Sequence, residues 1–136
     1  EGRDTGEIED LLRASGLPVE GVQAHIRDFF ITREGPAITG VIGLEQYGED
    51  GLLRSLAVRE PDRSKGIGSR LCLRLIDEAR TRGIRRLVLL TTTAGEYFSV
   101  RGFRIIDRSS IAGGLRDSAE FRGACPASAT CMERLL

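Results

Sequence analysis

The densest chemistry in this sequence lies between Leu52 and Gly68. Leu52-Leu53-Arg54-Ser55-Leu56-Ala57-Val58 reads as a strand, and Arg63-Ser64-Lys65-Gly66-Ile67-Gly68 follows a short loop. Beyond Gly66, Ile67, Leu71, Leu75 and Ala79 recur at i, i+4, and Cys72 and Ile76 widen the stripe, so a helix is predicted to open there. A helix N-terminus exposes unpaired N–H groups and a partial positive charge. Glycines let a phosphate approach those groups and let the turn curl into a nest. Arg63 and Lys65 add two cations at the rim. The stretch is therefore a candidate pyrophosphate cradle. It is not a Walker loop, since no G-x-x-x-x-G-K-[ST] run exists, and it is not a dinucleotide fingerprint, since position 71 is Leu rather than Gly.

Other reactive residues are few. His25 is the only histidine, so no histidine-based metal set can be built, and no metal is expected. Cys125 and Cys131 could hold a soft metal or arsenite as thiolates, or sit idle as buried thiols. Cys72 falls on the apolar side of its helix and reads as core. Arg54 lies mid-strand among apolar residues, where a charge must be paired or face a cleft. It could bind an acceptor carboxylate or form a salt bridge across the sheet.

The elements that must position these residues read as one α/β unit. A helix is predicted over residues 7–15, ended by Gly16 and Pro18, with a short second one over 19–26. Residues 28–33 and 37–44 read as a hairpin about Glu34-Gly35-Pro36, and 52–58 as a third strand. After the helix from Gly66, Gly83 precedes an apolar strand at 86–90. Then come a short helix at 94–100, a strand at 103–106, a Gly113-Gly114 loop and a last strand at 129–135.

Composition narrows the function classes. The 136 residues carry 20 basic and 20 acidic side chains, and Lys65 is the only lysine. The zero net charge divides into 4 − 11 = −7 over residues 1–53, 13 − 6 = +7 over 54–108, and 3 − 3 = 0 over the remainder. A neutral chain lacks the phosphate-neutralising surface of a nucleic-acid binder, but its basic middle leaves room for a smaller anion. Arg85-Arg86 reads as a solvated strand start. No segment approaches the ~18 apolar residues of a membrane span. Three cysteines do not make a disulfide framework, and a cytoplasmic setting is expected.

At these residues the chain resembles the GNAT N-acetyltransferase superfamily. Its main signature is Arg or Gln, two residues, Gly, one residue, then Gly or Ala, and Arg63 to Gly68 matches throughout. Leu56-Ala57-Val58 looks like the strand that pairs with the pantetheine arm. Downstream, Thr91-x-x-Ala94-x-x-x-Phe98-x-x-x-Gly102-Phe103 is similar to a second motif in which Asn and Tyr more often stand at the first and third named places. The agreement covers residues 27–106. It implies one acetyltransferase domain over residues 1–136, of α/β (α+β) class. The expected sheet is mixed and largely antiparallel, with helices on both faces, splayed between strands 52–58 and 86–91.

The resemblance implies an acyltransferase with acetyl-CoA as cosubstrate, acting on a primary amine. The implied cofactor contacts are Leu56, Ala57 and Val58 for the pantetheine, and Arg63, Ser64, Lys65, Gly66, Ile67, Gly68, Ser69 and Arg70 for the pyrophosphate. Thr91, Ala94 and Phe98 complete that set. Two positions depart from the pattern. Phe98 stands where the family's proton-donating tyrosine would be, and Tyr97 is one helical step, about 100°, away. Leu52 stands near the place of a glutamate that serves some members as base, which makes Glu45 the substitute candidate. Glu45 reads equally as a solvated strand-end carboxylate. With Tyr97 it completes the candidate catalytic pair, and Arg54 and Glu45 are the candidate acceptor contacts.

A weaker likeness, over residues 7–136, is to the GNAT branch associated with arsenic-resistance operons. It rests on Gly43-Leu44-Glu45-x-Tyr47-Gly48, Leu52 to Val58, Leu89-Leu90-Thr91-Thr92-Thr93-Ala94 and Cys125-Pro126-x-Ser128-Ala129-x-Cys131-Met132. It implies a small amino-acid-like acceptor. A protein or peptide N-acetyltransferase, a CoA-binding regulator without turnover, and a thiol-based metalloid sensor are the alternatives. Small enzymes of this family commonly dimerise, so a homodimer through the last strand is expected. The family usually begins with a further strand, for which only Glu1 to Asp4 remain.

Overall fold

The computed structural model describes residues 2–136, leaving Glu1 outside the described residues. The chain runs α1 (Gly2–Ala14), a 3-10 turn (Gln23–Asp28), β1 (Phe29–Glu34), β2 (Ala37–Tyr47), β3 (Asp50–Val58) and α2 (Ile67–Thr81). It continues with β4 (Arg86–Thr91), α3 (Gly95–Val100), β5 (Arg104–Ile106), α4 (Gly113–Arg116), a π-type turn (Glu120–Ala124) and β6 (Thr130–Leu135). Helix α1 begins earlier than its periodicity suggests, and Gly2 to Asp4 belong to it rather than to a strand.

The six strands form one sheet in the order β1-β2-β3-β4-β6-β5. All neighbours are antiparallel except β3 and β4, whose connection through α2 makes them parallel. This is the mixed, largely antiparallel sheet expected from the sequence. Side chains alternate between its faces. Leu53, Leu87 and Leu89 pack with the α2 stripe Leu71, Cys72, Leu75, Ile76 and Ala79 and with Phe98 and Phe103. On the opposite face Ile38, Val41 and Ala57 meet Ile8 and Leu12 of α1, while Leu52, Val88 and Cys131 meet Ile111 and Leu115. Helix α2 sits close on the sheet because Gly40 has no side chain. A Cβ there would meet Ile67 at 2.8 Å and Leu71 at 3.0 Å.

Two features of β3 decide the shape. Its pairing with β4 covers only Asp50–Arg86, Gly51–Leu87 and Leu52–Val88, after which the strands part. Its pairing with β2 then shifts: Val41 faces Ala57 but Gly43 faces Arg54, so Ser55 and Leu56 share one partner. Ser55 accommodates this bulge with φ of +63°. A bulge bends and twists the strand that carries it, so β3 leaves the plane it shares with β4. Among the described residues, no helix is long and apolar enough to cross a membrane.

Leu75 is fully buried between α2 and the sheet. Leu75→Ala should therefore cost about 2–5 kcal/mol. In urea unfolding this appears as a lower midpoint with an unchanged slope.

Candidate active site

The parted strands open a cleft of about 620 Å³, lined in part by Leu53 to Val58 of β3, Leu89 to Ala94, Ser15 to Pro18, Glu120 and Cys125. A second cleft of about 410 Å³ continues from it past Ser64, Gly66 to Ser69, Tyr97 and Arg101. Leu56, Val58, Arg63, Ala94 and Phe98 line both, so the two are halves of one groove.

The narrower half is built for an anion. Gly66, at φ of +80°, precedes α2, and no side chain caps the helix. Ser64, at φ of +72°, is a second left-handed residue in the same turn. The first N–H groups of α2 are therefore not taken by a cap and border the groove at Ile67, Gly68 and Ser69. Arg63 is held by a 2.9 Å bond from its Nε to the Val58 carbonyl. Arg101 stacks 3.5 Å over the Tyr97 ring and donates to the Tyr97 carbonyl and Ser69 Oγ, while its buried Nε has no partner. Arg101 was absent from the sequence reading, although its i, i+4 spacing from Tyr97 placed both on one face of the helix end.

Other expected cofactor residues sit differently. Lys65 and Arg70 do not line the groove. Lys65 Nζ bonds Asp62 Oδ1 at 2.9 Å, and this partner raises the ammonium above the usual lysine range. Ser64, Gly66, Ile67, Gly68 and Ser69 border the narrow half, Ala57 and Thr91 the wide half. Thr91 Oγ1 accepts from the Ala94 N–H at 2.9 Å and holds the turn before α3. Phe98 is buried with its ring edge-on to Tyr97 and Phe103. Tyr97 turns its hydroxyl toward Gly68, close to the Cys72 sulfur. Burial first, then Cys72, raises the Tyr97 phenol. The hydroxyl is thus at the phosphate half of the groove.

The wide half contains a buried charge cluster. Arg54 is 2% exposed, Glu45 1% and Glu120 3%. Arg54 Nη1 bonds Glu45 Oε2 at 2.8 Å, its Nε bonds Ser55 Oγ at 2.8 Å, and Glu120 Oε2 stands 3.7 Å from that Nε. Glu45 also accepts from the Tyr47 hydroxyl, and His25 Nε2 lies 3.6 Å from it. Burial, then Glu45, pushes the Tyr47 phenol far above its ordinary range. Arg54 is thus salt-bridged across the sheet and also lines the groove wall. Glu45 is not on that wall and is neither solvated nor free. Glu20 and Glu120 are the carboxylates on that wall, and the sequence reading missed the buried one, Glu120. It lies in an aperiodic segment, and only the folding of that segment over β3 reveals it. Burial raises its carboxyl to about 7, against the opposing effects of Arg54 and the Cys125 thiol.

The three cysteines are free and buried. Burial, then Glu120, pushes the Cys125 thiol up to about 12, and burial also raises Cys131. Protonated thiols are poor ligands for soft metals. Among the described residues, no group of three or more His, Cys, Asp or Glu could hold a metal ion.

Comparison with known proteins decides what this groove belongs to. The Acetyltransferase (GNAT) family profile matches residues 6–103. The chain belongs to the GNAT acetyltransferase family. Several proteins that share its fold are solved with coenzyme A. An amino-acid acetyltransferase of Neisseria meningitidis is 37% identical over 87 residues, 62% of this chain and 20% of that enzyme. N-acetylglutamate synthase from Neisseria gonorrhoeae, solved with coenzyme A and N-acetyl-glutamate, superposes with a TM-score of 0.83 at 28% identity. That match covers 98% of this chain and 33% of the other. The chain thus spans a fifth to a third of these relatives' length. A Mycobacterium tuberculosis protein solved with CoA shares the fold at TM-score 0.82 and 20% identity, over 100% of this chain and 96% of that one.

The groove's own chemistry suits CoA. A pyrophosphate would meet an uncapped helix start and an arginine with an unpartnered Nε, and a pantetheine arm would meet the side of β3 that β4 leaves unpaired. Gly68 is the narrow point, since a Cβ there would lie 2.5 Å from the Tyr97 hydroxyl. Gly68→Val should weaken acetyl-CoA binding at least tenfold, about 1.4 kcal/mol. Titration calorimetry measures the loss, and an unchanged circular dichroism spectrum shows the fold is kept.

Proposed function

We propose that this chain moves the acetyl group of acetyl-CoA to the primary amine of a small amino-acid-like molecule, by direct transfer in a ternary complex. The observation that carries the reading is the unpaired length of β3 beyond Leu52, which shares one groove with the uncapped start of α2. One surface can then hold an extended arm and its diphosphate together. The acceptor class is supported by the wide half of the groove, with Arg54 and Glu120 on its wall, and by relatives named as amino-acid acetyltransferases. An arsenic-bearing amino acid is one member of that class. A reducing, cytoplasmic setting agrees with three free thiols.

The residues act mainly by positioning. Bound acetyl-CoA supplies an activated acyl group. The free edge of β3 at Leu56 and Ala57 orients its arm, while Val58 spends its carbonyl on Arg63. The α2 N–H groups and Arg101 take the phosphate charge. Arg54, fixed by Glu45 and Ser55, faces an acceptor carboxylate. Holding two reactants in attack geometry can supply about 7–11 kcal/mol of the barrier. Glu45 serves as the anchor of Arg54 and Tyr97 as the wall under Arg101. Phe98 has no proton to give, so the leaving thiolate draws its proton from the amine or from water.

Acetyl-CoA at 100 times its Kd should add about 2.7 kcal/mol of stability, read as a rise in Tm. No shift at millimolar acetyl-CoA overturns the reading. Release of free CoA thiol across a panel of amino acids, peptides and arsenic-bearing amino acids then identifies the acceptor. Turnover on peptides alone makes the chain a peptide acetyltransferase, and binding with no turnover makes it a regulator.

A further inference from the structure

We propose that Glu120 is the base that takes the proton from the acceptor amine. The assignment rests on the acetyl-transfer reading above and adds the residue that makes the amine nucleophilic.

Three observations support it. First, Glu120 lies on the wall of the wide half of the groove together with β3 residues Leu53 to Val58 and with Thr91 to Thr93 of the opposite wall. An amine placed against an arm held by β3 is therefore within the same chamber. Second, its carboxylate is not locked. Arg54 spends Nη1 on Glu45 at 2.8 Å and Nε on Ser55 at 2.8 Å, while Glu120 stands at 3.7 Å, beyond hydrogen-bond distance. Glu120 can accept a proton without leaving Arg54 as an unpaired buried charge, because Glu45 still holds it. Glu45, by contrast, cannot give up its charge without orphaning Arg54. Third, the surroundings bring the two protonation states close in energy. Arg54 from β3 and the Cys125 thiol from the following segment favour the carboxylate, while burial, Glu45 from β2 and Glu20 from the loop after α1 oppose it. Together they hold the carboxyl at about 7, where a general base works best near neutral pH.

The step balances. A substrate ammonium gives one N–H proton to a Glu120 oxygen, leaving the nitrogen lone pair free. That pair forms the bond to the acetyl carbon as the carbon–sulfur bond breaks. The sulfur keeps its bonding electrons and receives the second N–H proton. Glu120 then returns its proton to solvent. No oxidant, metal or further reactant enters.

The sign of the pH dependence follows. Glu120 must be ionised to take the proton of an ammonium. The rate kcat/KM should climb as pH rises toward about 7 and then level off. Glu120→Gln should lower kcat at pH 7 by roughly 10²–10⁴-fold and abolish the acid limb. It should recover much of that loss at high pH, where the free amine no longer needs a base. Its thermal shift with acetyl-CoA should match the parent, which a merely structural role would not preserve. Retention of kcat within twofold with the acid limb intact overturns the proposal. Should Glu120→Gln fail to fold, Glu120→Asp takes its place, with an expected fall in kcat and a displaced acid limb; an unmoved profile overturns it equally. A parent that binds acetyl-CoA but acetylates no amine refutes the proposed function, and with it the proton transfer. Infrared difference spectra between pH 5 and pH 9 then report on the carboxyl alone. If no carboxyl signal is lost in Glu120→Gln, the titrating group itself is refuted.

Discussion

Everything in this molecule depends on two parallel strands that stop pairing after three residue pairs. A strand buried beside its neighbour normally satisfies its N–H and C=O groups on both sides. Here β3 keeps β2 on one side throughout and loses β4 on the other beyond Leu52. The bulge at Ser55 and Leu56 lies where the separation occurs, and a bulge bends and twists the strand that carries it. The cost of unpaired backbone groups is tolerable only at a site that something else will occupy. The helix that follows continues the pattern, with a start that no side chain caps. Two successive stretches of open hydrogen-bonding capacity thus form one line, and an extended chain ending in a diphosphate matches it.

The buried charge cluster solves a different problem. A guanidinium with no solvent exposure costs several kcal/mol unless it is fully paired. Arg54 meets this with Glu45 from the next strand, Ser55 from its own bulge and the Phe29 ring 5.9 Å away. The bulge therefore works twice, since it opens the groove and turns Ser55 into a partner for Arg54. What remains is a rigid positive charge on the wall of the wide half of the groove, with a second, looser carboxylate nearby. Rigidity and looseness are divided between Glu45 and Glu120, although both face one arginine.

How far the sequence could be read follows the same division. The strand order of the hairpin, the α2 stripe and the glycine turn were legible because each depends on local spacing: alternation, an i, i+4 repeat, or a residue that tolerates positive φ. The groove itself was legible through the family motifs at residues 63–68 and 91–103. Lys65 illustrates the limit. Its type and place suited a phosphate, but Asp62, three residues back, reaches it first, and the sequence does not say which partner wins. Glu120 was illegible for a stronger reason. Residues 107–128 fold into short irregular turns with no periodicity, and their place is fixed by Ile111 and Leu115 packing on Leu52 and Val88. A residue positioned by contacts that distant leaves no local pattern to find.

The charge split reads differently once partners are known. The −7 and +7 segments are not two free surfaces, because their charges meet across the fold. Arg82 from the basic segment bonds Asp28 from the acidic one at 2.8 Å, and Arg86 bonds Asp50 in the same way at 2.9 Å. Arg104 and Arg86 share Glu133 of β6. Much of the arginine excess is thus spent on tying strands and helix ends together, where the forked guanidinium suits paired carboxylates better than lysine would. Of the basic groups bordering the narrow half of the groove, Arg63 and Arg101 both bond backbone carbonyls rather than carboxylates, so their charge is not cancelled. A compact anion of a few charges therefore finds a positive site there. The net charge of zero and the capacity to bind a diphosphate are compatible for this reason: neutrality is achieved pair by pair, and the groove is where the pairing is left incomplete.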